Sequence, residues 1–204
     1  KNLWIGTSRG LNLFDEKTQS FVHYETDENI HGSFNTKVIT AILEDDQGNL
    51  WIGTSDDGLN RISSTSTGIT KYNNNPTDSA SLGNDSILSI FQDSKNNLWI
   101  GTTGGGLNLY NPETDNFTRY TEKDGLPNNI IYGILEDTQG NIWLSTNFGL
   151  SRFDILKKTF RNFTASDGLQ SNEFNQNAFA TDGNGNLYFG GTAGFNVFSP
   201  EKIK

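Results

Sequence analysis

Residue types that commonly carry out catalysis are sparse in this sequence. It holds two histidines, His23 and His31, and no cysteine. A Ser-His-Asp arrangement or a histidine-rich metal site needs side chains that converge, and two isolated histidines give no sign of either. The lack of thiols also removes a disulfide framework and a thiolate metal site. The sequence therefore predicts no catalytic residues, no bound metal and no cofactor.

A short acidic turn recurs along the chain and invites a calcium interpretation. Each copy starts with Asp and has Gly or Asn at its fourth position; the copies are Asp45-Asp46-Gln47-Gly48, Asp93-Ser94-Lys95-Asn96, Asp137-Thr138-Gln139-Gly140 and Asp182-Gly183-Asn184-Gly185. A calcium loop of the EF-hand kind needs carboxylates at alternate positions and a distal Glu, which these turns lack. The alternation of Gly with Asn instead predicts a structural turn with positive φ at that position.

An aromatic residue follows each turn inside a repeated strand-like segment, best seen as Asn-Leu-Trp-Ile-Gly-Thr at residues 97–102. The aromatic positions are spaced by 47, 48, 44 and 45 residues, and they are Trp4, Trp51, Trp99, Trp143 and Tyr188. Tryptophan can stack on sugars, but its fixed place in a repeated strand predicts that these five residues form the structural core.

The spacing defines the architecture. A period of about 46 residues, with strand-forming residues and Gly turns, is typical of four-stranded propeller blades. We predict an all-β fold, an incomplete β-propeller of four-stranded antiparallel blades, and we expect further blades before Lys1. The predicted full blades are residues 38–72, 87–120 and 130–163, and the partial blades are residues 1–24 and 174–198. Small residues four positions before each turn Asp fit the crowding of innermost strands; they are Ala41, Ser89, Gly133 and Ala178.

Composition excludes several classes of partner. The formal net charge is −9, whereas nucleic acids and anionic membranes select a basic surface. The sequence also has no apolar run near the roughly 18 residues that a membrane-spanning helix needs. We therefore expect a folded chain that does not bind nucleic acid.

The repeats resemble those of the two-component regulator propellers, the extracytoplasmic sensor propellers of bacterial hybrid two-component systems. The similarity is carried by residues 39–60 and 87–108, by the link at residues 124–129, and by an ending, residues 168–204, that is similar to a last blade. Tyr188, Ser145 and Asn96 depart from the family pattern, which has Trp, Gly and Gly there. The resemblance implies a periplasmic or other extracytoplasmic location in a membrane-anchored receptor, and a following immunoglobulin-like domain.

Candidate ligand-binding residues lie where the repeats differ from one another. Propellers bind ligands mostly on the face formed by the blade-to-blade links and by the loops between the second and third strands of each blade. Unusual loop residues are Arg9, Asp56, Asp57 and Phe148, and the ends of the links supply Asn129, Asn172 and Glu173. Asn175 and Asn177 place polar groups on an innermost strand and are predicted to line the central channel.

Three functions remain open from the sequence. The first is a non-catalytic sensor module that responds to an oligosaccharide or another small polar ligand, where both glycan and kinase are implied by the resemblance. The second is a structural propeller that docks a protein partner or an identical chain as a homo-oligomer. The third, a propeller lyase or hydrolase, is disfavoured because no acid and base groups converge.

Overall fold

A computed structural model describes residues 3–24, 38–65 and 68–203, and these residues form five antiparallel sheets. The all-β propeller prediction is confirmed. Within the described residues, helical structure is limited to three single 3₁₀ turns, Glu122–Asp124, Ala165–Asp167 and Pro200–Lys202. His31 and part of the first link lie outside the described residues.

The sheets follow one another along the chain, and each is one blade. Blade I contains β1 (Leu3–Thr7), β2 (Gly10–Asp15) and β3 (Ser20–Tyr24). Blade II contains β4 (Ile39–Glu44), β5 (Leu50–Thr54), β6 (Leu59–Ile62) and β7 (Ile69–Tyr72). Blade III contains β8 (Ile87–Gln92), β9 (Leu98–Thr102), β10 (Leu107–Asn111) and β11 (Asn116–Tyr120). Blade IV contains β12 (Ile131–Glu136), β13 (Ile142–Thr146), β14 (Gly149–Asp154) and β15 (Thr159–Phe163). Blade V contains β16 (Phe174–Thr181), β17 (Leu187–Gly191) and β18 (Gly194–Phe198).

The first strand of each four-stranded blade is the innermost. Within a blade the strands pair in chain order, and β4, β8, β12 and β16 contact one another from blade to blade. Close approach explains the small residues predicted there. A Cβ atom added to Gly133 would lie 2.7 Å from Cγ of Phe179 in blade V. A larger side chain at this level would push neighbouring blades apart.

The Gly of the Trp-Ile-Gly-Thr segment is required by the same crowding. A Cβ atom on Gly53 would lie 2.6 Å from Cγ2 of Ile87 in the next blade. Each such residue pairs across the sheet with the small residue of the inner strand, as Ala41 with Gly53 and Ser89 with Gly101. In blade IV the order is exchanged, because Gly133 pairs with Ser145. Ser145 therefore departs from the repeat without adding volume to the paired positions.

The tryptophans pack between blades. Trp51, Trp99 and Trp143 are at most 2% exposed. Trp51 packs in a cluster with Ile87 and Tyr110 of blade III, and Trp143 packs with Phe174 of blade V. Each ring therefore covers the flank of the blade that follows it in the chain.

The acidic turns hold these tryptophans in place by hydrogen bonds to their indole nitrogens. The fourth turn position has φ of 77° at Gly48 and 65° at Asn96, which confirms the predicted positive φ. The carboxylate of Asp93 accepts hydrogen bonds from its own turn, and its Oδ2 also accepts from Nε1 of Trp99 at 2.9 Å. Asp45 and Asp137 bind Trp51 and Trp143 in the same way, each at 2.8 Å. The turns thus hold both the backbone and the indole ring.

The inner strands are irregular at their first residues. In blades II, III and IV one extra residue lies between the first two paired positions: Thr40, Leu88 or Tyr132. In blade V the interruption is longer, because the pair Phe174 and Gly191 is followed by the pair Phe179 and Phe189. Residues 175–178 there face the single residue Gly190.

Candidate functional site

The propeller has two faces, and the variable segments gather on one of them. Gly104 N and Gly106 N, in the loop between β9 and β10, donate hydrogen bonds to Asn129 O at the end of the following link, at 3.1 and 2.9 Å. Gly149 N donates to Asn172 O at 2.6 Å in the same manner. The blade-to-blade links and the loops between second and third strands therefore form one surface, called here the link face. The acidic turns lie at the opposite ends of the strands, on the turn face.

Asn129 and Asn172 have local partners within the links that they end. Oδ1 of Asn129 accepts a hydrogen bond from Glu122 N at 2.9 Å, and Oδ1 of Asn172 accepts from Ala165 N at 2.7 Å. Asp85 has the corresponding place before blade III, where its Oδ1 accepts from Asn74 N at 2.6 Å. The sequence did not predict Asp85 because this link has Asp where the other two have Asn. These three side chains close the links.

The predicted residues of blades I and II lie on separate loops. Arg9 is exposed beside a shallow groove of about 390 Å³ that Ile5, Phe21 and His23 also line. Asp57 Oδ2 forms an ion pair with Lys71 Nζ at 3.1 Å, and Asp56 Oδ1 accepts a hydrogen bond from Ser55 Oγ at 3.1 Å. The structure does not link these positions to the group described next.

The remaining predicted residues lie on the two sides of the boundary between blades IV and V. Phe148 is 50% exposed, and its neighbour Gly149 is bonded to Asn172, as described above. Glu173, Asn175 and Asn177 follow Asn172 along the chain, and all three are exposed. This stretch of the link face thus offers an aromatic ring, a carboxylate and two amides.

Three further residues at this boundary were not predicted from the sequence. The Tyr132 hydroxyl donates a hydrogen bond to Asn147 Oδ1 at 3.2 Å, beside Phe148. Gln176 lies between the two predicted asparagines and is exposed. One feature of the sequence could have indicated Gln176: the distance from the start of the inner strand to the turn Asp is two residues longer in blade V than in blades II to IV. We define the IV–V group as Tyr132, Asn147, Phe148, Glu173, Asn175, Gln176 and Asn177.

A second polar cluster joins blades II and III. It consists of Arg61, Tyr72, Tyr110 and Asp115 and is called here the clamp. The hydroxyls of Tyr72 and Tyr110 both donate to Asp115 Oδ1 at 2.6 Å. Arg61 Nη1 donates to the Tyr110 hydroxyl at 2.7 Å and lies 3.6 Å from Asp115 Oδ1. The Arg61 guanidinium also lies 5.4 Å from the centre of the Trp51 ring.

The surroundings of this cluster favour neutral tyrosines and a charged aspartate. Burial, followed by the hydrogen bond to Asp115, raises the pKa of Tyr72 far above its usual value, and the same causes raise the pKa of Tyr110. Burial raises the pKa of Asp115, but the two tyrosine hydrogen bonds and the Arg61 charge outweigh it and leave that pKa lowered. The tyrosines therefore remain donors, which suits a clamp rather than acid-base chemistry.

Among residues 3–24, 38–65 and 68–203, no group of three or more His, Asp or Glu side chains is placed to hold a metal ion. Nor does any described helix reach the length and apolarity needed to cross a membrane.

The fold and the blade contacts define the chain as a β-propeller segment. The family model for the two component regulator propeller matches residues 33–56, 81–104 and 125–148. Three segments of the chain are therefore similar to the repeat of that family.

The chain is also similar to individual proteins. Over 58 residues the chain is 38% identical to histidine kinase P4 of Formosa agariphila, a match that covers 28% of this chain and 4% of that kinase. The extracellular domain of a putative hybrid two component system from B. thetaiotaomicron superposes with a TM-score of 0.83 at 23% identity, covering 100% of this chain and 28% of that one. A catalytically inactive virginiamycin B lyase from Staphylococcus aureus gives a TM-score of 0.68 at 13% identity, covering 97% and 66%. The two solved structures show the fold, and the chain spans only a small part of the first two relatives.

Proposed function

We propose that this chain is a non-catalytic segment of a sensor propeller, located outside the cytoplasm in a bacterial signal-transduction receptor. The observation that carries the proposal is the IV–V group, in which residues that differ from the repeat meet on the link face of a two component regulator propeller. The names of the relatives, a histidine kinase and a hybrid two component system, support a signalling context.

The chemistry of the IV–V group favours a neutral, hydroxyl-rich ligand such as an oligosaccharide. Exposed Phe148 offers a flat apolar surface for stacking, while the amides of Asn175 and Asn177 supply both donors and acceptors. Glu173 adds an acceptor and is the one charged residue of the group. A negatively charged sugar would be repelled by that carboxylate and by the acidic chain as a whole.

Ligand binding can be tested by calorimetry on the polypeptide that contains this chain. The probes are neutral cello- and xylo-oligosaccharides, with an acidic oligogalacturonate for comparison. We expect Phe148→Ala and Glu173→Ala to weaken binding of a neutral probe by about tenfold or more, since each removes a direct contact worth about 1.4 kcal/mol or more. Leu156→Ala is the matched control, because Leu156 is 85% exposed in the same blade but lies in the hairpin between β14 and β15.

Three outcomes would contradict this assignment. Equal binding by the Phe148 and Leu156 variants would place the ligand elsewhere. Stronger binding of oligogalacturonate than of the neutral probes would reject the ligand class. Conversion of any probe to product would reject the non-catalytic assignment, which matters because a lyase shares the fold.

A docking role is favoured by the two end flanks of the segment. Leu3 and Ile5 of blade I are 54% and 36% exposed, whereas the equivalent Leu50 and Ile52 of blade II are 4% and 0% exposed. On blade V, Phe195 and Val197 are 65% and 50% exposed, whereas the leucines of blades II to IV at the position of Phe195 are buried. We propose that further propeller blades of the parent protein cover both flanks, followed by an immunoglobulin-like domain after blade V.

The association state tests which partner covers these flanks. If further blades do so, the isolated segment self-associates, because exposed apolar flanks pair with one another, and Ile5→Lys with Phe195→Lys restores a monomer in light scattering. A parent protein that forms dimers through these same flanks would instead support an identical chain as the partner. An isolated wild-type segment that is monomeric and heat-resistant would contradict both versions.

A further inference from the structure

The inner strand of blade V carries an insertion at the link face that blades II to IV lack. Ile39, Ile87 and Ile131 each precede the turn Asp of their blade by six residues, whereas Phe174 precedes Asp182 by eight. The register places the extra residues opposite Gly190, between the paired positions Phe174 and Phe179. The innermost strand of blade V, β16, therefore contains a wider bulge than that of any of these three blades, and residues 175–177 of this bulge are called here the loop.

The inserted loop consists of three amide side chains in succession. Asn175, Gln176 and Asn177 are all exposed. Asn177 has a φ of 57°, a left-handed conformation that Asn tolerates better than most residues. Three exposed amides offer many hydrogen-bond donors and acceptors and no net charge.

The loop reaches past blade IV to blade III. Nε2 of Gln176 donates a hydrogen bond to Leu88 O at 3.4 Å, and Leu88 is the extra residue in the inner strand of blade III. Blade IV lies between blades III and V in the chain, and β16 also contacts β8, so this hydrogen bond joins the inner strands of two blades that are not consecutive. At 3.4 Å the hydrogen bond is at the long end of the usual range and is therefore weak.

We propose that residues 175–177 are the ligand-responsive element of the IV–V group, in which Asn175 and Asn177 bind ligand hydroxyls and Gln176 is a positioning residue that ties the loop to blade III. This inference rests on the proposed function and adds a mechanism to it. A hydroxyl both donates and accepts hydrogen bonds, and an amide side chain can serve both. Occupation of the two asparagines holds the loop in the position that contacts blade III and strengthens the hydrogen bond to Leu88, because a ligand favours the state that it binds better.

Shortening the loop tests this element directly. Deletion of Gln176 and Asn177 restores the six-residue spacing of blades II to IV. We expect the deleted protein to keep its unfolding midpoint and to lose at least about tenfold in affinity for cello- or xylo-oligosaccharides. Asn177→Gly provides a second variant, since it keeps the positive φ and removes only the amide, and it carries the binding test if the deletion prevents folding.

Gln176→Ala separates positioning from direct binding. In the wild-type protein, a neutral oligosaccharide is expected to slow amide hydrogen exchange both in the loop and in β8 near Leu88. In Gln176→Ala the protection of the loop remains, whereas the protection of β8 is lost and affinity falls about two- to fivefold. Equal protection of β8 in both proteins would overturn the positioning role.

The binding data distinguish this inference from the function on which it rests. If Phe148→Ala loses affinity while Asn177→Gly and the deletion bind as the wild type does, the sensor site stands and the role of the loop is wrong. If none of these variants changes affinity, both proposals fail.

Discussion

Two boundaries of the propeller invite comparison: the one between blades II and III, and the one between blades IV and V. Both have a tryptophan and an arginine at equivalent positions, but they differ at two aromatic positions. Trp51 and Trp143 are equivalent, and each lies beneath an arginine, Arg61 or Arg152, at 5.4 and 6.0 Å from the ring centre. Around them, blades II and III supply Tyr72 and Tyr110, where blades IV and V supply Phe163 and Phe198. The two boundaries thus differ by two hydroxyl groups and by the carboxylate that accepts from them.

This difference shows how one repeat serves two purposes. Tryptophan, the acidic turn and the small paired residues build the three boundaries from blade II to blade V, because each of these blades has to cover the next. At the II–III boundary the two hydroxyls and Asp115 add polar contacts that hold neighbouring blades together. At the IV–V boundary the packing is apolar, and the polar groups lie on the link face, where a ligand can reach them.

The largest expected effect tests what the boundaries share. Trp51→Ala and Trp143→Ala should each lower the free energy of unfolding by about 3 to 5 kcal/mol, because each empties a buried aromatic site. Tyr188→Ala is the control, since its half-buried ring lies on the flank of blade V that no described blade covers, and it should cost about 1 to 2 kcal/mol. Urea titration measures all three; a Tyr188 effect as large as the others would mean that this flank is covered.

The acidic turns should show the next largest effect. Asp137→Ala leaves Nε1 of buried Trp143 without its acceptor, and we expect a loss of about 2 to 3 kcal/mol. Asp182→Ala, the same change in blade V, should cost less than about 1 kcal/mol, because the Tyr188 hydroxyl bound there at 3.2 Å is able to turn to water. Equal losses in chemical denaturation would indicate that the turn backbone, and not the ring contact, sets the cost.

Converting one boundary into the other is expected to have a smaller effect. The double change Tyr72→Phe and Tyr110→Phe gives the II–III boundary the rings of the IV–V boundary and removes both hydrogen bonds to Asp115. Since Asp115 is about half exposed and regains water, the expected loss is about 1 to 2 kcal/mol. Phe163→Tyr with Phe198→Tyr is the reciprocal control and should bring no gain, because blade V supplies no counterpart of Asp115.

The smallest expected effect is a difference in the pH dependence of stability between the wild type and the double Tyr→Phe protein. The pKa values of Tyr72 and Tyr110 are raised in the folded protein, so their contribution is complete below about pH 10 and declines as the pH rises above it. The lowered pKa of Asp115 adds stability above its ordinary value near 3.8 that is lost as the pH falls through the folded pKa. Melting temperatures of the double Tyr→Phe protein should therefore fall less between pH 9 and pH 11 than those of the wild type. Parallel curves would show that the clamp does not titrate as described.

Local sequence predicted the blades well because each blade is built from short-range patterns. Neighbouring residues alone predict the Asp turn, with Gly48 or Asn96 at positive φ. They also predict the alternating pattern of the strand that follows. Ser145 illustrates the limit: it appears as a departure from the repeat until the register pairs it with Gly133. Likewise, the sequence predicts only a turn role for Asp93, while in the folded chain its Oδ2 also accepts a hydrogen bond from the indole of Trp99.

What the sequence by itself determined was the repeat, the all-β propeller and the positions where blades differ. The tertiary structure decided which of those positions lie at one boundary: Gly149, next to Phe148, bonds to Asn172 at the end of the link that leads to Asn175 and Asn177, while Arg9 and Asp57 lie on other blades. It also revealed the clamp of Tyr72, Tyr110 and Asp115 and the reach of Gln176 to Leu88. The physical reason is that hydrogen-bond patterns within a blade are local in sequence, whereas contacts between blades depend on how the sheets stack around the axis.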